Sequence, residues 1–320
     1  MALKVGSLFS GIGGIDLAFE SAGFEVSWAI EKDAACCKTY RHNFHETVLI
    51  EDDIRNIEPA TLPKVDVITA GFPCQSFSIA GKQRGFDDAR GHLFFEIEKF
   101  IRVNKPRFVF LENVPNLMEH DEGRTFLVIH NVLAELNYSI RYRVLRASEY
   151  GGVPQIRDRI YIIAFREQED CDKFEFPDKI NLNTTIEEIL QRKQKKHNIY
   201  YYSIENPFFK NIFKLVTRHD SIYRVYHDSV KITQNQMCPT LTASMGIKQN
   251  QVPLVIDNFG IRKLTLRECL AFQGFSKNFY FPKSITVEEA YKQCGNTVCI
   301  PVVKRLAIQI KNLDNKGENA

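Results

Sequence analysis

Residues 5–14 read Val-Gly-Ser-Leu-Phe-Ser-Gly-Ile-Gly-Gly, an apolar run that ends in a turn containing Gly11, Gly13 and Gly14. The apolar half favours a strand over 5–9, and residues 15–22 have apolar side chains at helical spacing. Glycines allow a tight turn and bring backbone N–H groups close to a ligand at the start of a helix. The stretch therefore predicts a β-turn-α unit with a ligand-binding loop.

The same alternation continues along the first half of the chain. Further strands are predicted in runs rich in Val, Ile and Phe, at 26–30, 48–50, 65–70, 108–111, 139–145 and 160–165. Helical periodicity lies between them, at 34–42, 93–103 and 125–136. Near-continuous apolar strands separated by helices are typical of an α/β fold, with a doubly wound, mostly parallel sheet covered on both faces.

The pattern changes after residue 165. Residues from about 171 to 261 are richer in Asn, Gln, Lys, Tyr and Phe and show no β-α alternation, which predicts a smaller domain of irregular and β structure. Its basic run at 191–197 could follow phosphates or form an exposed charged helix face, and the tyrosines after it favour a core. Helical periodicity returns at 266–272, 287–292 and 301–310.

Composition restricts the class of protein. Of 320 residues, 44% are apolar and 25% charged, with a formal charge of +3, which excludes a disordered or collagenous chain. No apolar run is long enough for a membrane span, and the first residues lack the apolar stretch of a secretory signal, so we expect a cytoplasmic protein. Eight cysteines occur without zinc-ligand spacing, so we expect reduced thiols and no metal.

Polar groups follow five predicted strands in succession. After the glycine turn come Glu31, Asp53, Cys74 and Glu112, each at the end of a strand. The carboxyl ends of parallel strands share one edge of a sheet, where ligands bind in open α/β folds. Singly, Cys74 would more often be structural and each acid a solvated helix-start residue. Five groups at one edge favour an active site.

The glycine turn also narrows the choice of cofactor. An acid about 20 residues after it matches a ribose-binding carboxylate, but the loop lacks the last glycine of the G-x-G-x-x-G dinucleotide fingerprint. A cofactor without a pyrophosphate fits better, and S-adenosylmethionine is the adenosine-bearing candidate. An NAD-dependent dehydrogenase shares the turn but offers no role for Cys74, Glu112 and Arg159 together.

Six motifs, in order, resemble those of the DNA (cytosine-5) methyltransferases of bacterial restriction–modification systems. Beside the glycine turn they are Pro-Cys-Gln at Cys74, Glu-Asn-Val at 112–114, Gln-Ile-Arg-Asp-Arg at 155–159, residues 262–269, and Gly-Asn-Thr-Val at 295–298. The similarity extends over nearly the whole chain. It implies a methyltransferase fold with a target-recognition domain, divided as 1–177 catalytic, 178–262 recognition, 263–290 hinge, and 291–320 returning to the catalytic domain.

The resemblance also assigns chemical roles. Cytosine carbon 5 is a poor nucleophile, so a thiolate from Cys74 would first add to carbon 6, with Arg157 and Arg159 favouring the thiolate. Glu112 in its protonated form would donate to ring nitrogen 3, while Arg159 would bind the carbonyl oxygen and orient Glu112. The base must first leave the duplex.

Cofactor and DNA contacts follow from the same motifs. The cofactor would be held by ten residues, namely Phe9, Gly11, Gly13, Gly14, Glu31, Asp53, Ile54, Leu93, Asn296 and Val298. A bulky residue often follows the ribose-binding acid in the family, and here it is Lys32. Duplex DNA would be contacted by Gln75, Lys82, Arg84, Arg90 and Thr240.

The expected assembly is a monomer, with a cognate restriction endonuclease acting separately. Two alternatives remain, an RNA (tRNA) methyltransferase with the same motifs and a DNA-binding protein without catalysis. The intact chemical residues argue against the second.

Overall fold

The computed structural model describes residues 2–73, 93–226, 230–233, 236–247 and 251–317. Contacts divide the chain into two units. The large unit comprises Met1–Leu145, Asp158–Asp178 and Val302–Ala320, and the small unit comprises Arg146–Arg157 and Lys179–Pro301. The division interrupts the chain between Arg157 and Asp158, within one sequence motif. The functional domain boundaries predicted from the sequence stay predictions.

Strands and helices alternate through the large unit, and shorter strands and helices make up the small unit. The strands, in chain order, are β1 (Lys4–Leu8), β2 (Glu25–Glu31), β3 (Val48–Glu51), β4 (Val67–Gly71), β5 (Phe108–Asn113), β6 (Ser139–Arg146), β7 (Gln155–Ile156), β8 (Asp158–Phe165), β9 (Tyr223–Val225), β10 (Val230–Ile232), β11 (Cys238–Pro239), β12 (Leu254–Asp257) and β13 (Gly260–Lys263). The helices are α1 (Gly14–Glu20), α2 (Ala34–Asn43), α3 (Leu93–Asn104), α4 (Arg124–Glu135), α5 (Ala147–Tyr150), α6 (Gln168–Lys173), α7 (Ile186–Ile189), α8 (Pro207–Ile212), α9 (Ser244–Ile247), α10 (Leu266–Phe272), α11 (Val287–Asn296) and α12 (Ile300–Gly317). None of these helices, which cover only the described residues, is long and apolar enough to cross a membrane.

The large unit contains one seven-stranded sheet in the order β3-β2-β1-β4-β5-β8-β6. The five strands from β3 to β5 run parallel, and β8 is antiparallel to β5. All seven strands match those predicted from the sequence to within a few residues. β1, β4, β5 and β8 are apolar runs that are almost wholly buried, whereas the outer strands β3 and β6 are half-buried or exposed. The α/β, doubly wound fold is therefore confirmed. Strand order reverses between β1 and β4, the position at which such sheets bind ligands.

The small unit is built on short strands. Four form an antiparallel sheet in the order β10-β9-β12-β13, and β11 pairs in parallel with β7. Tyr202, Tyr223 and Leu254 are buried in its core. Of the tyrosine run predicted to be core, Tyr202 is buried, whereas Tyr200 and Tyr201 are half-buried. The basic run at 191–197 is not a helix, so the prediction of an exposed helix face was wrong. Arg192 instead donates to Glu187 at 3.0 Å and to the carbonyl of Ile256.

A buried ionic network explains the sequence at 262–269. The fully buried guanidinium of Arg262 donates to Asp257 at 2.6 Å and to both oxygens of Glu268 at 2.8 Å. Glu268 also accepts from the Thr265 backbone at 2.7 Å, and Thr265 caps α10 in return. The network fixes the β12–β13 hairpin to α10, and Leu266 at the first helical position is compatible with it. A partner removed from such a network leaves a buried charge uncompensated.

Candidate active site

The glycine turn after β1 is fixed to the end of β2. Ser10 donates its N–H to the Ile30 carbonyl at 3.1 Å, and Gly11 donates to Glu31 Oε2 at 2.9 Å. Gly11 and Gly13 have φ angles of 57° and 83°, a region that favours glycine. A Cβ at Gly13 would lie 2.3 Å from the Phe44 ring, whereas one at Gly11 would meet nothing within 4 Å. The turn thus leaves open space above Gly11, beside a carboxylate.

The Glu31 carboxylate is held in one orientation. Its Oε1 accepts from the backbone N–H groups of Lys32 and Asp33, at 2.9 and 2.8 Å. With the bond from Gly11, three backbone donors fix both oxygens, and Oε2 accepts only one hydrogen bond from the described residues. A ribose hydroxyl could donate to Oε2 without any rearrangement.

Asp53 has different surroundings from those the sequence suggested. It follows β3 as predicted, but Arg55 donates to its two oxygens at 2.9 and 2.7 Å, and Lys32 Nζ lies 3.2 Å from Oδ2. The Arg55 guanidinium holds the pKa of Asp53 well below its usual range. Both oxygens already accept two hydrogen bonds, so an adenine amino group would have to displace Lys32 or Arg55.

The apolar residues assigned to the cofactor differ in accessibility. Phe9 and Leu93 are partly buried and pack against the core of the large unit. Ile54 is 4% exposed, a core residue with little surface left for a ligand. Phe9 also has a φ angle of 54°, which is unusual for a non-glycine residue. Of these three, Phe9 and Leu93 can still offer a face to an adenine ring.

A buried acid lies under the glycine turn. Asp16 of α1 is fully buried, and it accepts from Ser7 Oγ at 2.5 Å and from Tyr40 OH at 2.7 Å. Burial raises the pKa of Asp16 to about 6, against the lowering effect of the two hydrogen bonds. Burial and the nearby Asp16 charge raise the pKa of Glu20 to about 7. Asp16 therefore joins β1, α1 and α2 beneath the loop.

Asp16 should make stability depend on pH. Because the folded-state pKa lies above the unfolded value, its contribution is present below pH 4 and is lost as pH rises to about 6, by about 3 kcal/mol. We expect Asp16→Asn to remove this contribution and to leave the one from Glu20, whose pKa burial also raises, measured by urea unfolding at intervals between pH 4 and 7. A variant whose unfolding free energy falls with pH as steeply as that of the wild type would contradict this role.

Glu112 and Arg159 form an ion pair on neighbouring strands. Arg159 Nε lies 3.1 Å from Glu112 Oε1, and both side chains are largely buried. Glu112 faces Tyr161 in the β5–β8 register, so Arg159 is its diagonal neighbour on the same face of the sheet. Among the described residues, Glu112 Oε1 has no hydrogen-bond partner of good geometry. A buried carboxyl oxygen in this state has a free position for a ligand group.

The chain before Cys74 is tied to the same strand. Gly71 lies opposite Glu112 in the β4–β5 register. Asn113 donates its side-chain N–H to the Phe72 carbonyl at 2.9 Å, and its Oδ1 accepts from Val114. Asn113 thus ties Phe72 to the end of β5, a structural role that sequence reasoning did not assign, although the residue lies inside the Glu-Asn-Val motif.

Several predicted residues lie outside the described part of the chain. These are Cys74, Gln75, Lys82, Arg84 and Arg90. The nucleophile and four of the five DNA contacts therefore stay predictions. Pro73 is the last described residue before Cys74 in the chain.

Arg157 contacts backbone carbonyls within the small unit. It is almost fully buried, and its guanidinium donates to Leu241 O at 2.9 Å, Thr297 O at 2.5 Å and Gly295 O at 3.4 Å. These bonds join two motifs that are far apart in sequence. Because Cys74 lies outside the described residues, the predicted effect of Arg157 on that thiol stays a prediction.

Thr240 and the residues around Asn296 belong to the same cluster. Thr240 Oγ1 donates to the Ile156 carbonyl, so its hydroxyl is used within the protein. A Cβ at Gly295 would lie 2.0 Å from the Thr242 carbonyl carbon, which explains the glycine. Asn296 is exposed and Val298 is buried. Their predicted contact with the cofactor stays a prediction.

These features define a class of protein. A doubly wound sheet with a glycine turn and a fixed acid at its switch point is suited to an adenosine-bearing cofactor, and a buried carboxyl–guanidinium pair lies at a neighbouring strand end. The class is that of S-adenosylmethionine-dependent methyltransferases.

Comparison with known proteins identifies the family. A profile for C-5 cytosine-specific DNA methylases matches residues 3–312. The Type II methyltransferase M.Bsp6I of Bacillus sp. (strain RFL6) is 44% identical, covering 96% of this chain and 98% of its own. M.HhaI of Haemophilus parahaemolyticus, also a Type II methyltransferase, is 36% identical over 96% and 94%. The chain belongs to the C-5 cytosine-specific DNA methylase family.

Solved structures share the fold at low identity. A DNMT2 variant of Spodoptera frugiperda superposes with a TM-score of 0.76 at 20% identity, covering 97% of this chain and 100% of its own. A putative DNA modification methyltransferase from an E. coli prophage superposes at 0.73 with 23% identity, covering 98% and 100%. Similarity at this level shows the fold alone.

Proposed function

We propose that the chain methylates carbon 5 of cytosine in a short duplex DNA sequence, with Cys74 as nucleophile and Glu112 and Arg159 as its catalytic partners. The observation that supports this most is the buried Glu112–Arg159 pair, whose Oε1 has no hydrogen-bond partner among the described residues. Glu112 lies on β5, directly beside β4, the strand that leads to Cys74.

The residues at the end of β1 and β2 suit S-adenosylmethionine. Glu31 is fixed by three backbone donors with acceptor capacity left on Oε2, and the space above Gly11 is open. When bound, S-adenosylmethionine supplies a methyl group on a positively charged sulfur. Glu31 would bind the ribose hydroxyls, and Phe9 and Leu93 would line the adenine site.

Cys74, Glu112 and Arg159 each carry out a separate part of the reaction in this proposal. The Cys74 thiolate forms a bond to carbon 6, and the electron pair released from the ring double bond makes carbon 5 nucleophilic. Glu112 gives a proton to nitrogen 3 as this charge develops, and Arg159 binds the carbonyl oxygen. After methyl transfer, a base takes the carbon-5 proton, the electron pair of that bond re-forms the ring double bond, and the bond to Cys74 breaks with its electrons on sulfur. Nitrogen 3 then returns its proton to Glu112, which restores the thiolate and the protonated carboxyl group.

Arg157 acts in this proposal as a positioning residue. Its three carbonyl partners are buried, and Arg159 follows it by two residues on β8. It would hold the Thr240–Leu241 and Gly295–Thr297 backbones in place while its neighbour Arg159 contacts substrate.

We expect Arg157→Lys to lower the free energy of unfolding by about 2–4 kcal/mol, because a single ammonium group cannot replace a planar guanidinium that donates to three buried carbonyls. Urea unfolding measures the loss. If Arg157 instead activated the thiol directly, Arg157→Lys would retain stability and shift the pH profile of methyl transfer to higher pH. Arg166→Lys, an exposed arginine, serves as the control for the substitution itself.

The small unit is proposed to recognise the target sequence, and the protein to act as a monomer in the cytoplasm. The proposal includes a cognate restriction endonuclease that acts separately on the same DNA sequence. The names of the relatives, which are Type II methyltransferases, support this part.

The decisive experiment is bisulfite sequencing of DNA from cells that express the protein. We expect 5-methylcytosine at one short sequence and none in cells with the empty vector. Parallel assays of tritiated methyl transfer to duplex DNA and to tRNA separate the two substrates. Methylation of tRNA without methylation of DNA would replace the proposal with the RNA alternative.

A further inference from the structure

The β9–β10 hairpin of the small unit presents two cations opposite each other. Arg224 of β9 pairs with Lys231 of β10 in the antiparallel register, and both side chains are exposed. Tyr223 and Val225 on either side of Arg224 are buried. Like charges directly opposite in an antiparallel pair repel and destabilise it. The folded protein alone therefore gains nothing from this pairing.

An exposed aromatic ring lies beside both cations. The Arg224 guanidinium carbon is 5.3 Å and the Lys231 Nζ is 5.6 Å from the centre of the Tyr226 ring. Tyr226 keeps 42% of its surface exposed. Attraction between a cation and the face of an aromatic ring holds both cations beside one ring. The three side chains form a single surface, which we name the hairpin patch.

Neither cation is neutralised in the part of the chain that the structure describes. Within those ranges, Arg224 and Lys231 form no ion pair with a carboxylate, whereas nearby Arg218 binds Asp220 at 2.7 Å. The hairpin patch also lies at the edge of its sheet, since β10 is the outermost strand. Two cations that no carboxylate of the described ranges neutralises, beside an exposed aromatic ring, suit a polyanion with flat or apolar surfaces between its charges.

We propose that the hairpin patch binds the phosphodiester backbone of the substrate duplex. Arg224 and Lys231 each contact a phosphate, and Tyr226 lies against the sugar between them. Charge complementarity supports this partner, because phosphate contacts by Lys and Arg position a protein on DNA without reading its sequence. The proposal rests on the proposed function and adds the surface by which the small unit meets DNA.

The test measures the affinity of the full chain for a fluorescein-labelled, random-sequence duplex as a function of salt. Removing two phosphate contacts in Arg224→Gln/Lys231→Gln should reduce the slope of log affinity against log salt by about 1.8. Between 50 and 200 mM salt, the wild type should lose about 12-fold more affinity than the double variant. Arg224→Lys, which keeps the charge, should retain the wild-type slope.

Arg218→Gln is the matched control, since it removes one positive charge from the same unit where Asp220 already neutralises it. We expect it to change the slope little, and we expect the double variant to unfold at no lower temperature than the wild type. A double variant with the wild-type slope would overturn the proposal, as would an equal change in Arg218→Gln. A double variant that loses affinity for tRNA, measured in the same way, but keeps its affinity for the duplex would also overturn the proposal. Because binding is measured without methyl transfer, failure here is distinct from failure of the methylation assay.

Discussion

Cys74→Ser should lower the rate of methyl transfer to duplex DNA by at least about 10⁴-fold, with DNA affinity largely retained. A thiol with an ordinary pKa of about 8.5 is a few per cent thiolate at neutral pH, whereas a serine hydroxyl supplies essentially no alkoxide. Without a nucleophile at carbon 6, carbon 5 stays unreactive however well the cofactor is bound. The measurement is single-turnover transfer of a tritiated methyl group at saturating DNA.

A matched variant separates chemistry from folding. Cys171→Ser alters a buried thiol on α6 of the large unit and should keep most of the activity. Duplexes with 5-fluorocytosine provide a second readout, since fluorine replaces the proton whose loss expels the thiol. Wild-type protein should then form a complex that survives denaturant, and Cys74→Ser should not. More than about a hundredth of wild-type transfer by Cys74→Ser would show that another group attacks the ring.

The sequence predicted the large unit well for a physical reason. Strands such as β4 and β5 are buried on both faces, so they appear as continuous apolar runs. The polar residue that ends each run then lies at one edge of the sheet by geometry, and the structure has Glu31 and Glu112 in the last residues of β2 and β5. The short strands of the small unit lack such runs. β7 and β11 have two residues each, and their pairing depends on residues over 80 positions apart.

The hydrogen-bond partners of Arg157 and Arg159 were not equally predictable from the sequence. Arg157 and Arg159 occur in one motif, but the first binds three backbone carbonyls and the second a carboxylate. Backbone carbonyls have no signature in a sequence, so the partners of Arg157 could not be predicted. The pairing of Asp53 with Arg55 had a usable signal in the sequence, because an aspartate that caps a helical turn accepts from the backbone N–H two residues later, here that of Arg55.

Glu112→Gln should reduce the rate of methyl transfer by about 10²–10⁴-fold, the range found when a general acid is removed. Glutamine keeps the size of the side chain and can donate a hydrogen bond to nitrogen 3, but it cannot transfer a proton there. The charge that develops as the thiolate adds therefore stays on the ring. Exchange of tritium from cytosine carbon 5 into water, measured without cofactor, should fall in parallel, because it reports the addition step alone.

A substitution at Arg159 tests whether Glu112 acts alone, because the Arg159 guanidinium lies 3.1 Å from the Glu112 carboxyl. If Glu112 and Arg159 act together, Arg159→Lys should lower the rate of methyl transfer much less in the Glu112→Gln protein than in the wild type. The effects of substitutions at residues that act as a unit are not additive. Thermal unfolding of all three variants checks that the buried partner left behind does not unfold the protein. Fully additive losses in methyl transfer, or a Glu112→Gln protein that exchanges tritium at the wild-type rate, would mean that Glu112 holds the strand end in place and transfers no proton.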